Sequence, residues 1–205
     1  MRELPDPYVF AFLLLCSGFL LFFYNRLMAA VKASAACFRS SHATVEMLGN
    51  QYLCDSVRIA LALLAPFYAL TLEVTGVSRL GYFWTLLSLL LLGFFWKLAG
   101  LTVGWLSSRK AAFRSVERMG HAVAILVMLV SLLAAVAGWL LPGTPQWPLW
   151  SFLGVVAVAG MVLYGLRGFF LIFQTGFSPF FWVLYLCSLN FLPICVVVNR
   201  IIHGN

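Results

Sequence analysis

Apolar residues occur in long blocks along this chain, separated by short polar stretches, and most blocks reach the roughly 20 residues needed to cross a hydrocarbon core about 30 Å thick. Six such blocks, at 8–24, 59–77, 81–106, 122–141, 149–173 and 179–198, predict six spans. The first is the shortest, at the lower end of the usual range. The stretches 142–148 and 174–178 are too short to carry a helix back across the bilayer, so consecutive helices should pack antiparallel as neighbours. The predicted fold class is therefore all-α, an integral membrane helical bundle of about six transmembrane helices, with 1–205 forming a single transmembrane domain.

Residues 25–58 have a different pattern. Leu27, Val31, Ala35 and Phe38 recur at helical spacing with Arg26, Lys32 and Arg39 beside them, until Gly49 and Asn50 interrupt the series. This predicts an amphipathic cytoplasmic helix on the membrane surface, or a helical extension of the first span; a solvated linker is the alternative. Within the spans, Pro66 and Pro193 each lack a donor and free the carbonyl four residues back, at Ala62 and Leu189. Kinks are expected at both.

Composition supports the membrane assignment: 63% of residues are hydrophobic and 9% charged, against about 25% charged in an ordinary soluble domain. The formal charge of +7 does not point to nucleic acid, because the cations gather in loops between apolar blocks, where they act as topology signals and contacts for anionic headgroups. If the segment after the first span is cytoplasmic, the inner side collects Arg26, Lys32, Arg39, Arg58, Arg109, Lys110, Arg114, Arg118 and Arg167. The outer side then holds only Arg2, Arg79 and Arg200, and both termini lie outside, N-out and C-out. Glu3 and Asp6 offset Arg2, so no cleaved signal peptide is expected. The five cysteines, Cys16, Cys37, Cys54, Cys187 and Cys195, form no CxxC pair or regular disulfide framework.

The titratable residues suggest no catalyst. Glu3, Asp6, Glu46, Asp55, Glu73 and Glu117 all fall in loops or at span ends, whereas proton-coupled transport usually places a carboxylate at membrane depth. His42, His121 and His203 are far apart and form no HExxH, HxxxH or CxxCH pattern. A nucleophile elbow, a Gly-rich phosphate loop and a carboxylate pair are also absent from the sequence. No catalytic residue, metal ligand or cofactor is assigned, and enzymatic activity is not expected.

Four polar residues inside the spans are the candidates for function: Lys97, Asn190, Arg167 and Tyr185. A lysine at a helix centre costs up to about 3 kcal/mol on the insertion scale, which the nine leucines of its span offset. Gly93, Gly100 and Gly104 lie at i−4, i+3 and i+7 from Lys97, and GLTVG at 100–104 is a GxxxG pattern that lets another helix approach closely. That face is expected to turn Lys97 toward protein, either as a structural anchor or as a contact in a cavity. Arg167, beside Gly168, should reach the inner headgroups. Asn190 needs an interhelical hydrogen bond, and Lys97 is one possible donor.

The segment YLCSLNFLP at residues 185–193 resembles the terminal signature, similar to YLCxLExLP, of an uncharacterised bacterial multi-pass membrane protein family, domain of unknown function 4271. Trp96 and Lys97, then VGW at 103–105 and a basic loop with Phe113 before an apolar span, look like that family's central region. The likeness covers most of residues 80–198 and departs from the signature at Asn190, where the family has glutamate. It implies a multi-pass protein of the bacterial inner membrane and brings no activity with it.

Two functions follow from these expectations. The first is a non-enzymatic scaffold or subunit of a membrane assembly, with a membrane-protein partner or further copies of itself; Ser131, Ala135 and Gly138 add a second small-residue face. The alternative is a small transporter or channel with a polar cavity near Lys97 and Asn190. A membrane-embedded enzyme acting on lipid would require an acidic or histidine cluster that the sequence does not contain.

Overall fold

The computed structural model describes residues 7–39, 49–75, 81–106, 110–140, 146–173, 195–196 and 199. Six helices account for almost all of them: α1 (Pro7–Phe22), α2 (Tyr24–Arg39), α3 (Gln51–Val74), α4 (Tyr82–Leu106), α5 (Lys110–Leu140) and α6 (Gln146–Phe173). Four, α3 to α6, are each long and apolar enough to cross a membrane, and α1 with α2 makes a fifth if that bent pair is one span. The chain is an all-α, multi-pass membrane bundle. The expected sixth span at 179–198, with Tyr185, Asn190 and Pro193, lies outside the described residues.

Helix α5 is the hub, packing against α2, α3, α4 and α6. It begins at Lys110, well before the apolar block expected at 122–141, because the basic stretch continues the helix. Phe113, Val116, Met119, Gly120 and Val123 are buried at helical spacing, while Arg114 stands out from that face. A helix of 31 residues is roughly 46 Å long at 1.5 Å per residue. It exceeds a hydrocarbon core of about 30 Å, and its charged residues, Lys110 to Arg118, are confined to its first third.

Helix α3 likewise starts earlier than the span read from hydropathy. Asn50, in extended conformation, caps it by accepting from the Leu53 backbone N–H at 3.3 Å, so the break at Gly49 and Asn50 is a helix start. Pro66 is buried within α3, which runs from Gln51 to Val74 as one helix. At its far end the Glu73 carboxylate accepts from the Tyr82 backbone N–H, satisfying an orphan donor in the first turn of α4.

The amphipathic segment after the first span packs against the bundle. A turn at Phe23 bends α2 from α1 by 77°, and α2 then packs across α3 and α5. Its contact stripe is Ala30, Ser34 and Cys37, all fully buried. Such small side chains let the helices approach closely in the same way as glycine. Arg26 of α2 also lies over the Tyr52 ring of α3, 5.2 Å from its centroid.

Two apolar clusters hold the bundle. The larger joins Ala30 and Cys37 of α2, Val57, Ala60 and Leu64 of α3, Phe113 through Ile125 of α5, and Tyr164 of α6. A smaller one brings Val9 of α1, Ala69 of α3 and Tyr82 of α4 together.

Candidate functional site

The seam of α4 runs through Tyr82, Thr85, Leu89, Leu92, Trp96, Ala99 and Val103, alternating three- and four-residue steps, and each of these residues is buried or half-buried. That is the spacing of a helix packed along one narrow line. Trp96 is its largest member at the lower end. Its indole meets the Tyr164 ring of α6 edge-on, with centroids 5.2 Å apart at 88°, and the His121 ring of α5 at 6.4 Å and 67°. The indole Nε1 is buried and has no acceptor among the described residues.

Cations from three helices lie within electrostatic reach of this aromatic junction. The charges of Arg58 on α3, Lys97 on α4 and Arg118 on α5 all bear on His121. Arg167 follows Tyr164 by three residues on α6, about 4.5 Å further along the axis, and is half-buried. Antiparallel packing thus brings cations that are remote in sequence to one end of the bundle. Arg58 approaches Asp55 at 3.7 Å, with side chains 57% and 43% exposed; so exposed a pair contributes little to stability.

The glycine face expected around Lys97 is divided. Gly100 and Gly104 are buried. Gly93 and Lys97 are exposed, and a Cβ added at Gly93 would meet nothing within 4 Å. Within this chain the Gly100 and Gly104 part of the face is packed, and Gly93 and Lys97 are not. The reason is geometric: a step of one residue rotates 100° around a helix, so Lys97 falls off the line that Trp96 follows.

Below Lys97 an open groove of about 520 Å³ lies between the end of α4 and the start of α5. Gly100, Leu101, Gly104 and Trp105 line it from α4, and Arg114 and Glu117 from α5. Thr102 also borders it, but its hydroxyl is already used, donating to the Ala99 carbonyl at 3.0 Å. Arg114 and Glu117 have no ion-pair or hydrogen-bond partner among the described residues. The walls are predominantly apolar and the charges are of both signs.

Trp96, His121, Tyr164, Arg114 and Glu117 were not predicted as site residues. The alternating three- and four-residue seam through Trp96 could have indicated the first. It is masked because α4 is apolar on every side, so its packed stripe does not stand out from the lipid-facing surface.

No group of His, Cys, Asp and Glu suited to a metal ion occurs among the described residues. No protein-family model, curated protein or solved structure matches the chain.

Proposed function

We propose that this chain is a non-enzymatic subunit of a bacterial inner-membrane assembly, held with its basic end at the cytoplasmic face. The outward face of α4 carries the proposal. Only 11% of that helix's apolar window is buried, against 44% for α3. On the exposed side, Gly93 and Lys97 stand one turn apart. A cation facing lipid is costly and a glycine there leaves a notch, so a second helix seated at Gly93 would fill the notch and cover the lysine stem. The likeness of residues 185–193 to domain of unknown function 4271 supports the bacterial inner membrane, and the basic loops support anionic headgroups as contacts.

A transporter or channel requires a hydrated route from Lys97. The groove adjacent to it is apolar-walled, which favours the subunit reading.

Gly93→Leu tests it. Leucine meets no atom of this chain within 4 Å of the added Cβ, so the variant should insert and unfold like the wild type. In mild detergent the wild type should run well above the mass of one 22.8 kDa chain, and the variant should fall toward it. A wild-type protein that is already monomeric, or an assembly indifferent to Gly93→Leu, would overturn the proposal.

A further inference from the structure

The groove between α4 and α5 combines features that select a ligand class. Its long wall includes Gly100 and Gly104, which have no side chains, flanked by Leu101 and Trp105. Its α5 edge carries Arg114 and Glu117, three residues apart, which puts them on one helix face. They are of opposite sign and yet unpaired with each other or with any other described residue. Arg114 and Glu117 lie in the charged start of α5, just before the run 119–140, which has no Asp, Glu, Lys or Arg, and charged side chains are costly inside the hydrocarbon. Apolar wall therefore meets charged edge at the boundary where phospholipids turn from acyl chain to headgroup.

We propose that this groove binds a zwitterionic aminophospholipid, with its phosphate on Arg114, its primary ammonium on Glu117 and an acyl chain along the glycine wall. The charge pattern chooses among lipids. A purely anionic headgroup would satisfy Arg114 but leave Glu117 facing like charge. A trimethylated headgroup has no N–H to donate to the carboxylate. A primary ammonium beside a phosphate satisfies both side chains, and a volume of about 520 Å³ is within the range of ligand pockets, roughly 300 to 1,000 Å³. The site does not depend on the subunit proposal: Gly93→Leu should leave it intact, so the two can fail separately.

The full-length protein, delipidated in mild detergent and titrated with an equimolar mixture of phosphatidylethanolamine, phosphatidylglycerol and phosphatidylcholine, tests the assignment by native mass spectrometry. The wild type should retain phosphatidylethanolamine about tenfold over phosphatidylglycerol, the scale of one charge-assisted hydrogen bond. Glu117→Gln should bring that ratio near unity, and Glu117→Lys should reverse it toward phosphatidylglycerol. Arg114→Gln should lower retention of all three; Arg114 is exposed and off the packed seam, so the variant should fold normally. Equal retention of the three lipids by the wild type, a ratio unmoved by both Glu117 variants, or a second copy of the chain displacing lipid from the groove would each overturn the assignment.

Discussion

The indole of Trp96 lies on the backbone of Gly120: a Cβ built there would sit 2.5 Å from Cζ2 and 2.6 Å from Cη2. Tyr164 Cε2 would be 3.2 Å away on the other side. Glycine is required at this crossing for space, since the backbone is ordinary helix. Gly120→Ala should push Trp96 off its seat and cost about 1 to 3 kcal/mol, the usual range for overpacking. Trp96→Phe, which removes the outer ring, should recover part of that loss in the double variant. Thermal unfolding in detergent measures both, and strict additivity would show that the two residues are not coupled.

A second close approach joins α5 to α6. A Cβ at Gly160 would lie 2.5 Å from Val127 Cγ2, and a β-branched valine cannot swing aside within a helix. Gly154, six residues earlier on α6, has nothing within 4 Å. Gly160→Ala should therefore destabilise by about 1 to 3 kcal/mol, and Gly154→Ala should be neutral or mildly stabilising through helix propensity. The same melting experiment compares them; equal effects would mean that α5 and α6 do not meet at Gly160.

What the sequence revealed and what it concealed both follow from these contacts. Helices α4 and α6 lie close to their apolar blocks because an unbroken run of that length has few alternatives. The start of α5 was hidden by Arg114 and Arg118, although Phe113, Val116 and Gly120 carry the helical spacing. The place of α2 was hidden more deeply, since Ala30, Ser34 and Cys37 bury surfaces too small to register in hydropathy. Lys97 and its glycines were visible as a local motif. The Trp96, His121 and Tyr164 junction was not, because it is assembled from three helices far apart in sequence.

Burial also determines how the orientation can be measured. Cys37 is the native cysteine on the basic side nearest the first span, but it is fully buried and should resist maleimide whichever way the chain faces. Lys32, on the exposed side of the same helix, is the better reporter. In a chain with Cys187 and Cys195 changed to alanine, Lys32→Cys should escape a membrane-impermeant maleimide in intact cells. It should label promptly once the membrane is opened. Labelling in intact cells would reverse the inside and outside assigned here.

Two buried serines should respond to the same substitution with opposite sign. Ser131 of α5 hydrogen-bonds across the helix interface to Tyr68 of α3 and is 1% exposed. Ser34 of α2 is fully buried as well, yet its Oγ has no partner among the described residues. A satisfied interhelical bond in a membrane is worth about 0.6 to 2 kcal/mol, and losing it strands the Tyr68 hydroxyl. An unsatisfied hydroxyl already carries its desolvation cost in the folded state, so its removal should return part of about 1 to 3 kcal/mol. Ser131→Ala should therefore lower the melting temperature in detergent and Ser34→Ala should raise it. The volume change is identical in the two variants, which leaves the hydrogen bond as the difference between them. If Ser34→Ala destabilised as much as Ser131→Ala, Ser34 would have an acceptor in the membrane-embedded protein, and the close packing of α2 on α3 would depend on a polar contact instead of on small size alone.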